Sequence, residues 1–171
     1  MNVFDFAMKM EEDGKSYYEK LANKTSLPGL KTIFTRLAAD EQKHYQIFQE
    51  LKAGKSVSAM QDSTILTEVK NIFEKLPKEG KTLKGLEGDL AAYQHAMKIE
   101  SDSYRFYEKA ADEEKDPVTK NLLLRIAGEE QKHFNILENI YHFVNAPSQY
   151  LAWGEFSNLG EFHQFGRDID T

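Results

Sequence analysis

The sequence predicts an all-α fold, an antiparallel four-helix bundle made of two duplicated helical hairpins joined by a long crossover. Three observations predict it. The chain repeats itself at an offset of 89 residues, apolar residues recur at helical spacing within each copy, and only 4 prolines interrupt 171 residues. At that offset AMKMEEDGKSYYEKLA, residues 7–22, lies over AMKIESDSYRFYEKAA, residues 96–111. The same ungapped register puts Pro28 on Pro117, Arg36 on Arg125, and LAADEQKH (37–44) on IAGEEQKH (126–133).

Each copy reads as two helices, at 3–24 and 29–53 and again at 89–113 and 117–145. Asp116-Pro117 is a helix start, with a capping carboxylate followed by proline at the first helical position. Ser26-Leu27-Pro28 plays a similar part in the first copy. Short loops make the helices of each pair antiparallel neighbours. The repeat units are therefore 3–53 and 89–145, within a bundle domain covering 1–146. The connection 54–88 is rich in Gly, Lys and Ser, and Ser63 to Leu76 within it reads as a short amphipathic helix. A tail at 147–171 carries Trp153, Phe156, Leu159, Phe162 and Phe165 at spacings of three. Such aromatics dock on something, either the chain's own bundle or a second copy in a homodimer.

Composition narrows the function. The net charge of −6 gives no basic stripe for nucleic acid and no basic face for anionic lipid. The absence of cysteine excludes disulfides, thiolate chemistry, Cys-ligated zinc and iron–sulfur clusters. No apolar run approaches the length that spans a bilayer, and the first residues contain no continuous apolar segment of the secretory kind. The expectation is a cytoplasmic protein that binds neither nucleic acid nor membrane.

The chemistry lies in polar residues placed where the core should be. In the second helix Phe34, Leu37, Ala38, Tyr45 and Phe48 form an apolar stripe that Glu41 and His44 interrupt. In the fourth, Glu130 and His133 interrupt the stripe Leu123, Ile126, Ala127, Phe134 and Leu137. Residues three apart share a helix face, so each Glu–His pair points inward. Glu11 sits in the apolar face of the first helix among Ala7, Met8, Tyr18 and Leu21. Glu100 sits likewise in the third, among Tyr93, Ala96, Met97 and Tyr107. Glu12 rivals Glu11, but it lies about 100° round the helix and its repeat partner is Ser101. Four inward carboxylates repel one another and are costly to bury unpaired. Two divalent cations would neutralise them, with two imidazoles completing the set. Carboxylate and imidazole donors suit Fe(II), Mn(II) or Zn(II). The expectation is two metal ions per chain, iron first, held by Glu11, Glu41, His44, Glu100, Glu130 and His133. One Glu from each of two helices plus Glu-x-x-His from each of the others is an established di-metal ligand pattern in helix bundles.

Over residues 3–145 these motifs, MKMEEDGKSYY, ADEQKH, MKIESDSYRFY and GEEQKH, resemble the rubrerythrin and ferritin-like di-iron family. The resemblance implies a ferritin-like bundle in which Glu11 and Glu100 each bind mainly one iron, Glu41 and Glu130 bridge, and His44 and His133 each cap one iron. It also implies that Tyr18 and Tyr107 hydrogen-bond to ligand carboxylates; the alternative is two core tyrosines with satisfied hydroxyls. Two departures stand out. No four-cysteine iron domain is present, so electrons must come from an external donor protein. Ser103, matched by Gly14, stands where rubrerythrins carry an extra glutamate, which leaves the simpler six-ligand site. Small residues at Gly14 and Ser103 either leave room for a small ligand or permit close helix packing. Asp40 and Glu129 either face solvent or accept hydrogen bonds from the histidines. His95, His142 and His163 read as surface or packing residues.

The function so implied is an oxidoreductase that reduces peroxide or dioxygen. The alternatives are a ferroxidase or iron-storage subunit, and a non-redox interaction protein held together by its metals.

Overall fold

The computed structural model describes residues 2–57, 59–75 and 90–145. Five helices follow in order: α1 Val3–Lys24, α2 Pro28–Lys52, α3 Ile65–Lys75, α4 Leu90–Glu113 and α5 Pro117–Asn145. Local chemistry sets their ends. The Asn2 side chain accepts a hydrogen bond from the Phe4 amide at 2.9 Å and starts α1. The Asp116 carboxylate accepts from the Thr119 amide at 2.9 Å and its hydroxyl at 2.6 Å, as its position before Pro117 predicts. The first copy differs: Leu27 is the capping residue of α2 and makes no side-chain cap, so Pro28 alone marks the start. The end of α2 is turned by Gly54, whose φ of +74° is readily adopted only by glycine.

The hairpins α1/α2 and α4/α5 make the most extensive interhelical contacts. Three-residue loops at 25–27 and 114–116 leave no choice but an antiparallel return. The hairpins then face each other with α1 against α4 and α2 against α5. Tyr18 reaching Glu100 while Tyr107 reaches Glu11 shows that α1 and α4 are also antiparallel. All four neighbouring pairs are thus antiparallel, and α2 and α4 lie on a diagonal, running the same way. The chain leaving α2 must therefore travel back along the bundle before α4 can begin. A 25-residue helix is about 38 Å long, which explains why this connection alone is long. Part of it forms α3, which packs Ile65, Val69 and Phe73 against α2 and α5. This is the ferritin-like arrangement, and the amphipathic helix expected over 63–76 is present as Ile65–Lys75. The expected tail at 147–171 and most of the second half of the connection lie outside the described residues.

Two apolar clusters fill the bundle. One gathers Leu21, Leu30, Phe34, Tyr93, Ile136 and Ile140 with α3; the other gathers Phe48, Tyr107, Leu122, Leu123 and Ile126. Along every helix of the bundle the inward glutamates lie between these two clusters. The polar layer is therefore sealed by hydrocarbon at both ends. No helix among the described residues is long and apolar enough to cross a membrane.

Candidate metal centre

Glu11, Glu41, His44, Glu100, Glu130 and His133 all meet in that layer, each at most 2 % exposed. Glu11 is buried in this layer, and Glu12 is exposed on the other side of α1. The six form two overlapping groups, Glu11–Glu41–His44–Glu130 and Glu41–Glu100–Glu130–His133. Within each, the candidate ligand atoms lie within 4.8 Å of one another. Glu41 and Glu130 belong to both groups; each of the other four belongs to one.

These atoms are close without being satisfied. His44 Nδ1 lies 3.0 Å from Glu130 Oε1 and 3.3 Å from Glu11 Oε2, and His133 Nδ1 lies 3.0 Å from Glu41 Oε1. Yet both Nδ1 atoms and at least one oxygen of each of the four glutamates make no well-directed hydrogen bond. Buried polar atoms are ordinarily paired, so six residues with orphaned atoms in one layer have unmet bonding capacity that a further occupant would satisfy. A cation fits, because every orphan is a carboxylate oxygen or an imidazole nitrogen.

Electrostatics point the same way. Burial, reinforced by the charges of Glu11 and Glu100, pushes Glu41 well above the usual carboxylate range. Burial and the charges of Glu41, Glu100 and Glu11 do the same to Glu130. Burial also opposes ionisation of Glu100, but the adjacent His133 outweighs it and holds Glu100 low. Burial would lower both histidines, yet the negative field wins. Glu11 foremost raises His44, and Glu100 foremost raises His133. Without a cation, the layer thus favours protons on its two shared carboxylates and on both imidazoles.

The far nitrogens of the histidines decide between the two readings of Asp40 and Glu129. His44 Nε2 lies 2.8 Å from Glu129 Oε2, and His133 Nε2 lies 3.3 Å from Asp40 Oδ2. Both carboxylates are buried, at 1 % exposure for Asp40 and 4 % for Glu129. Burial raises each, but the histidine it meets holds it below the usual range. An ionised carboxylate only accepts, so Nε2 carries the proton and, in the neutral ring, Nδ1 presents its lone pair to the layer. Both contacts cross from one hairpin to the other.

The tyrosines cross as well. Tyr18 donates to Glu100 Oε1 and Tyr107 donates to Glu11 Oε1. Burial, with the carboxylate each one meets, raises both phenols well above 10 and keeps them as donors. Both are core tyrosines whose hydroxyls are satisfied by carboxylates of the layer. Tyr18→Phe leaves a buried oxygen of Glu100 without its donor. It is expected to cost about 1–3 kcal/mol, read as a lower midpoint in urea unfolding of the metal-free protein.

Gly14 and Ser103 are both buried. A Cβ built on Gly14 would come within 2.6 Å of Glu41 Oε2. Gly14 is therefore small because the Glu41 carboxylate occupies the space beside it. Gly14→Ala gains helix propensity of about 1 kcal/mol, roughly offset by the cost of overpacking. Its fold should survive while the displaced Glu41 weakens metal uptake at least tenfold, as equilibrium dialysis would read. His95 and His142 are exposed and away from the layer; His163 lies outside the described residues.

The contribution that sequence reasoning missed is Ser63, just before α3. Its hydroxyl donates to Asp40 Oδ2 at 2.5 Å and its amide donates to Glu129 Oε1 at 2.9 Å. Nothing in a serine within a Ser-, Gly- and Lys-rich connection signals this, since the connection has no repeat partner.

A bundle of two antiparallel hairpins around a sealed layer of four glutamates and two histidines defines the class of ferritin-like metal-site proteins. The family model described as Rubrerythrin matches residues 2–141. The chain belongs to the rubrerythrin family. No curated protein and no solved structure matches it.

Proposed function

We propose that this chain is a di-iron oxidoreductase that reduces peroxide or dioxygen. The observation that carries this reading is the pair of buried groups sharing Glu41 and Glu130. In this reading Glu11 and His44 would hold one ion, Glu100 and His133 the other, and Glu41 and Glu130, which belong to both groups, would serve both. Manganese or zinc would satisfy the same donors, but only a redox metal serves the chemistry. When bound, the metals supply electrons to a small oxidant. The chain's own residues do the rest. Asp40 and Glu129 fix the imidazole protons on Nε2, leaving Nδ1 as ligand. Tyr18 and Tyr107 hold Glu100 and Glu11 in place. The apolar clusters on either side exclude bulk water. In this reading an external donor protein returns the electrons. We place this activity in the cytoplasm, in a homodimer.

The test is an anaerobic Fe(II) titration of the metal-free protein, followed by H2O2 or O2 and near-ultraviolet spectroscopy. Uptake of about two irons per chain and rapid oxidation supports the proposal. A faster response to H2O2 identifies a peroxide reductase, and a faster response to O2 a ferroxidase. Failure to take up iron, or bound iron indifferent to both oxidants, overturns it.

A further inference from the structure

The crossover occurs once in a chain whose bundle is otherwise duplicated, and it lies across repeat-related positions of α2 and α5. Arg36 and Arg125 are repeat partners, and so are Asp40 and Glu129. The crossover engages all four. Arg36 Nη2 donates to Glu68 Oε1 at 2.8 Å, and Arg125 Nη2 donates to Asp62 Oδ1 at 2.7 Å and to the Met60 carbonyl. Between these two pairs sits Ser63, joined to both Asp40 and Glu129.

The two attachments of Ser63 differ chemically. Glu129, which holds His44, receives a backbone N–H that no side-chain substitution short of proline removes. Asp40, which holds His133, receives the side-chain hydroxyl. Moreover, Asp40 Oδ2 is the same oxygen that faces His133 Nε2, so the hydroxyl and the imidazole share one acceptor. Fixing that oxygen fixes the ring. The twofold-related half-sites thus have matched ligands but unmatched supports.

We propose that Ser63 is a positioning residue for one half-site, its hydroxyl holding the Asp40–His133 pair while the His44–Glu129 pair does not depend on it. The inference rests on the metal-binding reading above. A network of this kind orients the ligand imidazole, and its loss typically weakens metal affinity 10–100-fold. Because Ser63 acts on His133 through Asp40, the low end applies.

The experiment is calorimetric titration of the metal-free full chain with Mn(II) alone, comparing the unaltered protein with Ser63→Ala, Ser63→Thr and Glu68→Gln. Ser63→Ala should weaken one of two ions about tenfold, so that a single-phase isotherm splits into two steps. Ser63→Thr keeps a hydroxyl and should restore the original isotherm. The Glu68→Gln variant loosens the crossover at Arg36 without touching Asp40, and should bind as the unaltered protein does. It also controls for the Ile65 amide, which donates to Ser63 Oγ at 3.3 Å, so that Ser63→Ala weakens the start of α3 as well. Equal weakening of both ions in Ser63→Ala, no weakening, or the same split in Glu68→Gln overturns the inference and leaves the metal site standing. An unaltered protein that takes up no Mn(II), Fe(II) or Zn(II) overturns both together.

Discussion

Glu130→Leu is expected to abolish uptake of both metal ions while making the metal-free protein more stable. Glu130 belongs to both ligand groups, is fully buried, and leaves both carboxylate oxygens without hydrogen bonds. Removing it takes a ligand from each ion at once. By contrast, Glu11 belongs to one group, so Glu11→Ala should weaken one ion and spare the other. The stability effect has the opposite sign for a definite reason. Glu130 lies in hydrocarbon-sealed surroundings with the like charges of Glu41, Glu100 and Glu11 beside it. Replacing a buried carboxyl that burial keeps from ionising, and whose oxygens lack hydrogen bonds, by an apolar side chain of similar size should stabilise by about 1–3 kcal/mol. Thermal melts with and without Mn(II) check both halves. The unaltered protein should gain roughly 2.7 kcal/mol per ion at a hundredfold excess over Kd, and Glu130→Leu should gain none. A metal-free variant that melts well below the unaltered protein would show that Glu130 serves the fold rather than the site.

The second large effect is a pair of opposed pH dependences. In the metal-free layer Glu41 and Glu130 titrate well above the usual carboxylate range, and His44 and His133 well above 6.5. The native state therefore binds more protons than the unfolded chain above about pH 5, and its stability falls as pH rises through those raised values. Glu100, Asp40 and Glu129 are shifted downward. Their contribution is present above the ordinary carboxylate range and is lost only on acidification through the lowered values. Metal ligands must be deprotonated, so loading expels the protons that the layer holds, and affinity rises with pH. The stabilisation conferred by metal should accordingly grow as pH rises through these raised values, while the metal-free midpoint declines. Mixing with Mn(II) in weak buffer should release protons in proportion to the metal bound. No release, or tighter binding at the acid end, would mean that the metal binds elsewhere.

Both expectations depend on residues whose inward placement follows from the sequence. An apolar stripe of period 3.6 leaves no freedom about where Glu41, His44, Glu130 and His133 point once the helices form. The repeat doubled each observation, and the choice of Glu11 over Glu12 came from the stripe and from Ser101. Helix order, antiparallel hairpins and the single crossover were legible for the same reason: local spacing and loop length are properties of the chain itself.

What the sequence left open concerns contacts between hairpins. Helical spacing says which face a residue occupies but not which helix stands opposite. Tyr18 lies two turns along from Glu11 on one helix, yet its hydroxyl serves Glu100 on another. Asp40 and Glu129 could have faced solvent; each is buried because the other hairpin brings a histidine to it. Gly14 offered two readings of a small residue, and only the position of Glu41 in the assembled layer explained it. Ser63 had no signal at all, because its role exists only once the crossover is laid across α2 and α5. The sequence by itself determined the inward faces that carry the candidate ligands, since periodicity is written along one helix. The tertiary structure decided how those faces support one another, since hydrogen bonds between helices depend on relative placement that no single helix encodes.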